Sequence, residues 1–186
     1  ITLGVDLPEK SQFSEGKEDS IVFSGVMDYG PNEDAAYYFA TEVYPLIKKK
    51  FNDAEFIIAG KNPTSKLIGL ECEGIHITGF VDDMYKTISS SEIYVSPLKY
   101  GSGTKNKVLE AMAVGMPVFL TEVSREGIDG LKEGKNCFFI NEGNIVEVIC
   151  KALTDKKRLK EVAASGREYV ETNHSWKNVF DKFLID

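Results

Sequence analysis

Six short apolar runs, each closed by glycine, proline or a polar turn, alternate with helical segments in this sequence, and after the last run only helical segments follow. Short continuous apolar runs suit strands buried on both faces, and the helices between them supply the crossovers that parallel neighbours need. The predicted fold is therefore α/β: a Rossmann-like, open, parallel six-stranded sheet with helices on both faces and a helical C-terminal tail. Ligands of such a sheet lie beyond the carboxyl ends of its strands.

Residues 1–19 have little apolar periodicity and carry Pro8, Ser11, Ser14 and Gly16, so they read as a linker, with 20–186 as the domain. The first strand is 20–25, SIVFSG. Pro31 and Asn32 open a helix whose Ala36, Phe39, Ala40, Val43 and Ile47 share one face, with three lysines, Lys48 to Lys50, at its negative end. Tyr37, Tyr38 and Phe39 in it read as core and rim packing. The second strand is 55–59, closed by Gly60, and a short helix follows Pro63. The third is 75–78, with Gly79, Phe80 and Val81 as its exit and Asp82 as N-cap of a helix over 83–89.

Strand four is 93–96, and a glycine turn over 101–103 feeds a helix over 105–114. Gly115 and Pro117 bound strand five at 118–121, and 137–140 is the sixth strand. Helices are predicted over 142–153, 156–172 and 176–185, the last anchored by Trp176.

A 186-residue chain with 42% apolar residues holds one full core. Its net charge of −7 argues against nucleic acid or an anionic membrane surface as partner. Three scattered cysteines suggest neither a disulfide framework nor zinc and fit a reducing cytoplasm. No apolar run is long enough to span a membrane. The opening, ITLGVDLPEKSQF, lacks an initiator Met and reads as the interior of a longer protein.

Against this acidic background, residues 97–118, PLKYGSGTKNKVLEAMAVGMPV, stand out. Between Ile93 and Leu109 the chain carries Lys99, Lys105 and Lys107 and no acid. Gly101 and Gly103 permit close backbone approach, Ser102 and Thr104 offer hydroxyls, and Thr104 is placed to cap the helix. Amide hydrogens at a helix start together with Lys105 and Lys107 suit a diphosphate. Glu110 lies in an otherwise apolar helical run and needs a partner. Two readings fit that spacing: a surface pair with Lys107, or a carboxylate held for a ligand's hydroxyls.

The segment SGTKNKVLEAMAVGMPV, with IIAG, TGFVDD and IYVSPL before it, resembles the C-terminal half of GT-B glycosyltransferases of family 4, the glycosyl transferases group 1. GVD near the start is similar to that family's interdomain segment, and NHSWKNVFDKF to its closing helix. The likeness is strongest to the bacterial subgroup of exopolysaccharide sugar transferases. It implies a hexosyltransferase-type enzyme that moves a sugar, with retention, from a nucleoside-diphosphate sugar to a glycan or lipid-linked acceptor, without metal or further cofactor. It places Glu110 on the ribose, Ser102, Gly103, Thr104, Lys105 and Lys107 at the sugar and diphosphate, Gly25 beside the phosphates, and Gly79, Phe80 and Val81 at the base.

The sequence departs from the family twice. Ser102 stands where the first glutamate of the donor motif is expected, and the loop GVMDYGPNEDAA lacks the usual arginine and lysine. The resemblance also implies an acceptor-binding N-terminal domain outside this chain, no turnover by this half alone, and a cytoplasmic place, with any inner-membrane contact made through the other half. Given Ser102, the alternative is a degenerate half, or a nucleotide-binding module, that serves as a partner-binding domain.

Other readings fit less well. A nicotinamide-binding fold lacks Gly-x-Gly-x-x-Gly after the first strand, and a receiver-like module lacks the acid cluster that Asp28 alone does not make. A sugar-nucleotide epimerase would need catalytic acids and a histidine in place. Asp82 and Asp83 start a helix rather than a metal site. His76 and His174 lack ligand spacing, and Arg125 and Glu126, on the sheet edge of the proposed site, read first as surface charge.

Overall fold

The protein is described by a computed structural model covering residues 4–9, 16–101 and 105–183, without the side chains of residues 105 and 180–183. Its strands are β1 (Lys17–Ser24), β2 (Glu55–Ala59), β3 (Ile75–Gly79), β4 (Ser91–Ser96), β5 (Val118–Leu120) and β6 (Phe138–Phe139). Every pairing is parallel, in the order β3-β2-β1-β4-β5-β6. The strand order turns back between β1 and β4, which makes the carboxyl ends of those two strands the switch point whose crevice takes the ligands of such sheets.

Both faces of the sheet are buried, which explains the unbroken apolar runs. Ile21 and Phe23 of β1, with Phe56, Ile58, Ile93, Val95 and Phe119, build one core. It is covered by α1 (Gly30–Tyr38), a π-turn (Phe39–Val43), α2 (Tyr44–Lys48) and α7 (Ile145–Thr154). Phe39 is fully buried, its ring 4.6 Å from that of Phe56. On the other face Val22, Tyr94, Val118 and Leu120 meet Val108, Leu109 and Met112 of α5 (Lys105–Ala113).

The first helix keeps its predicted face but not its predicted continuity. Pro45 has no N–H to return to the preceding turn. The helix widens there, with the Tyr44 N–H bonding the Phe39 carbonyl five residues back.

The remaining helices are α3 (Ser65–Ile68), α4 (Met84–Ser89), α6 (Glu122–Arg125), α8 (Lys156–Asn173) and α9 (Trp176–Phe183). Asp83 rather than Asp82 caps α4, its Oδ1 accepting the Lys86 N–H at 2.9 Å. The short α6 is not marked by any apolar periodicity. It forms because Thr121 caps it, accepting the Ser124 N–H.

Residues 4–9 dock on the C-terminal helices. The Val5 N–H bonds His174 O at 2.8 Å, and buried Arg167 donates to Ala113 O and Pro8 O. The Trp176 ring lies so close to Gly4 that a Cβ there would come within 2.4 Å of it. Docking of this segment brings Asp6 within electrostatic reach of Glu110, at the crevice.

Candidate functional site

The crevice is walled by the loops after β1 and β4. At its floor the Ser24 and Tyr94 hydroxyls are 3.1 Å apart and fully buried, so the two strand ends are tied side chain to side chain. Gly25 follows, its N–H bonded to Ala59 O at 3.0 Å. A Cβ on Gly25 would lie 2.6 Å from Asn32 Nδ2, and one on Gly60 would strike Gly25 O. These glycines bring the start of α1 and the end of β2 against the end of β1.

Asn32, buried, donates to Val26 O at 3.0 Å, and its Oδ1 has no partner. The start of α1 offers little to an anion. Pro31 has no N–H, and those of Asn32 and Glu33 both go to Tyr29 O. This agrees with a loop that carries neither arginine nor lysine.

The β4–α5 loop is clamped onto α1. Tyr100 donates its hydroxyl to Asp34 Oδ2 at 2.5 Å, and Gly101, at φ +102°, sits where a Cβ would lie 2.6 Å from the Pro31 ring. That bond and Lys66 hold the Asp34 carboxyl below its ordinary range. Ser102, Gly103 and Thr104, expected to hold the donor, lie outside the described residues, and of Lys105 the backbone alone is described, at the first turn of α5.

Lys99, by contrast, is drawn away from the crevice. Its ammonium is 2.5 Å from Glu142 and 3.8 Å from the centroid of the Tyr38 ring. The acid-free stretch of sequence is thus not acid-free in space.

Lys107 and Glu110 are one helical turn apart on α5 and both partly buried. Their side chains do not form a hydrogen bond or a close ion pair, and among the described residues the Glu110 carboxylate has no bonded partner. Burial pushes its carboxyl above the ordinary range; Lys107 pulls it down and Asp6 pushes it up. Tyr85 on α4 is pushed up to about 12, chiefly by burial and then by Glu110 and Asp6. The buried Tyr94 hydroxyl is also pushed up by burial, with Glu110 adding to the shift. A half-buried carboxylate without a bonded partner is held, with a cation one turn away, beside the ends of β1 and β4.

At the end of β3, Gly79 takes φ +65° and its carbonyl accepts from Thr78 Oγ1. It throws Phe80 outward, 74% exposed, on the same carboxyl edge of the sheet, with Val81 partly buried beside it. Glu110, Lys107, Gly25 and the Gly79–Val81 exit therefore share one edge. Among the described residues no cluster of three His, Cys, Asp or Glu is arranged to hold a metal ion, and no helix is long and apolar enough to cross a membrane.

Comparison with known proteins places this geometry. The sequence profile of the glycosyl transferases group 1 matches residues 18–155. An uncharacterised 44.6 kDa protein in the cps region of Klebsiella pneumoniae is 26% identical over 198 residues, covering 99% of this chain and 51% of that protein. The chain thus spans about half the length of this curated relative.

Among solved structures, a mutant of S. aureus TarM in complex with Fondaparinux, alpha-GlcNAc-glycerol and UDP superposes with a TM-score of 0.79 at 18% identity, over 97% of this chain and 37% of that one. The C-terminal domain of LpcC, a glycosyl transferase group 1 family protein from Francisella tularensis, superposes with a TM-score of 0.64 at 18% identity, over 95% of this chain and 97% of that one. The fold is the Rossmann-like half of a GT-B glycosyltransferase. The profile match runs through the sheet, the crevice and α5 alike, and the chain belongs to the glycosyl transferases group 1 family.

Proposed function

We propose that this chain is the donor-binding half of a retaining, hexosyltransferase-type glycosyltransferase. It takes the sugar from a nucleoside-diphosphate sugar and delivers it to a glycan or lipid-linked acceptor. The observation that carries this reading is Glu110, half-buried at the switch-point crevice, with no bonded partner among the described residues and Lys107 one turn before it. A carboxylate so placed is ready to accept hydrogen bonds from the two hydroxyls of a ribose, and the family likeness assigns Lys107, with Ser102, Gly103, Thr104 and Lys105, to the sugar and diphosphate. Phe80 and the backbone of Gly79 and Val81 meet the base. TarM, of like fold, carries UDP in its complex, which supports a nucleotide in this crevice.

In this reading the half contributes chiefly electrostatics. Lysines and amide hydrogens stabilise the departing diphosphate, in place of a metal, as the glycosidic bond breaks. The acceptor and any proton-accepting group belong to an N-terminal domain outside this chain, so the half binds donor without turning it over. Polysaccharide assembly is the setting suggested by the cps-region relative, and a cytoplasmic place follows from the nucleotide donor.

Calorimetric titration of the chain with UDP, GDP and ADP, repeated on Glu110→Ala, tests the proposal. Saturable binding of at least one nucleotide, weakened in the variant, is expected. Absence of binding to all three would favour the alternative of a degenerate, partner-binding half, to which Ser102 in place of a glutamate lends its only support.

A further inference from the structure

A cavity of about 350 Å³ opens on the same sheet edge at the carboxyl ends of β4, β5 and β6. That volume lies at the low end of the roughly 300–1,000 Å³ typical of small-molecule sites. Its wall is well fixed. Thr121 donates to Leu98 O at 2.7 Å, and Ser124 donates to Ser96 O at 2.7 Å, so α6 is pinned to the ends of the strands beneath it.

From α6 the Arg125 guanidinium sits over the Phe139 ring, its Cζ 4.2 Å from the centroid, and its Nε is buried without a hydrogen-bond partner. A stacked guanidinium directs its N–H groups outward from the ring edge, and a buried N–H left unpaired is costly. The stacking fixes the fork, and Arg125 lines the cavity without a hydrogen-bond acceptor for its guanidinium among the described residues.

Two asparagines of the wall also present donors. Asn144 Oδ1 accepts the Asn141 N–H at 2.7 Å, and Asn141 Oδ1 accepts the N–H groups of Gly143 and Asn144 at 2.9 and 3.1 Å. Both amide oxygens are engaged within the loop, so each side chain has its NH₂ end to offer a guest. Of the carboxylates in the wall, Glu142 is neutralised by Lys99 at 2.5 Å, and Glu122 is exposed on the rim, where water screens it. The cavity thus pairs an unmet guanidinium donor with two amide donors.

We propose that this cavity binds the carboxylate of a sugar acid, with Arg125 as its fork and Asn141 and Asn144 beside it. A planar carboxylate matches the paired N–H groups of a guanidinium edge, and sugar hydroxyls suit the surrounding amides. The site is separate from Glu110 and does not depend on the nucleotide reading.

The test is titration of the ¹⁵N-labelled chain with D-glucuronate and, in parallel, with D-glucose and inorganic phosphate. D-glucuronate is expected to shift the Arg125 Nε–H and the Asn141 and Asn144 side-chain amide resonances, and D-glucose to leave them in place. Arg125→Gln weakens D-glucuronate binding by about tenfold or more. Asn144→Asp, which keeps the Oδ1 acceptor but adds a repelling charge, does the same and stands in should the arginine variant fail to fold. UDP affinity is unchanged in both, so failure here is distinguishable from failure of the donor site. Equal responses to glucose and glucuronate, a response to phosphate alone, or full affinity in the folded variants would overturn the assignment.

Discussion

Replacing Glu110 by glutamine separates a ligand-binding carboxylate from a structural one. The side chain is half-buried on α5 and has no bonded partner among the described residues, so Glu110→Gln orphans no buried donor. Breaking a buried ion pair would instead cost about 3–5 kcal/mol. Burial holds the Glu110 carboxyl above its ordinary range, so the folded chain keeps that proton to higher pH than the unfolded chain does. Stability from this group is then fully present in acid and falls as pH rises through the raised value, because ionisation in the fold is disfavoured.

The variant escapes that fall. The two proteins should melt alike below the unfolded carboxylate's pKa, and the variant at an equal or higher temperature at neutral pH. Nucleotide binding should move the other way. Each charge-assisted hydrogen bond to a ribose hydroxyl contributes about 1.5–3 kcal/mol, so losing one weakens UDP roughly 10- to 150-fold. Thermal melts at several pH values and calorimetric titration read the two effects on the same samples. A variant that melts lower at neutral pH while binding UDP as before would refute the reasoning, since Glu110 would then serve the fold alone.

Three further outcomes follow from the packing. Phe39→Ala removes a fully buried ring packed at a tilt against Phe56 and should cost about 3–5 kcal/mol by urea denaturation. Lys156 bonds Glu92 at 2.6 Å and Asp19 at 3.1 Å where β1 and β4 begin; because the lysine is partly exposed, Lys156→Met should cost about 1–3 kcal/mol in low salt, less than a fully buried pair would. Gly60→Ala forces a Cβ into Gly25 O from a φ of +143°. It should lower the melting temperature through about 1–3 kcal/mol of backbone strain and weaken nucleotide binding as well, which a melt and a titration would show together.

The strands were legible in the sequence because burial on both faces leaves each one apolar and bounded by turn residues, as in IVFSG and EFIIA. Less legible was the beginning of β1 at Lys17, where charged residues join the sheet through backbone pairing and Lys17 and Glu55 bond across it. The π-turn before Pro45 was missed because the apolar face runs through it unchanged. α6 was missed because its one turn depends on Thr121 and on the strand ends below rather than on periodicity.

At the crevice, local sequence marked Glu110 and Lys107, but the spacing left open whether they pair; the fold holds them apart. Lys99 looked free of acids because its partner Glu142 arrives from a distant loop. Arg125 read as surface charge because the Phe139 ring beneath it comes from another strand. The signal for such contacts lies in the strand order, which local pattern does not encode.

The central claim is that a nucleoside diphosphate occupies the crevice between the ends of β1 and β4. It is tested most directly by mapping the amide resonances of the labelled chain as UDP is added. Shifts gathered at Gly25, at Gly79 to Val81 and from Lys105 to Glu110, with the opposite end of the sheet around Lys156 unmoved, are the predicted result. Shifts centred elsewhere, or a spectrum unchanged by UDP, GDP and ADP alike, would contradict it.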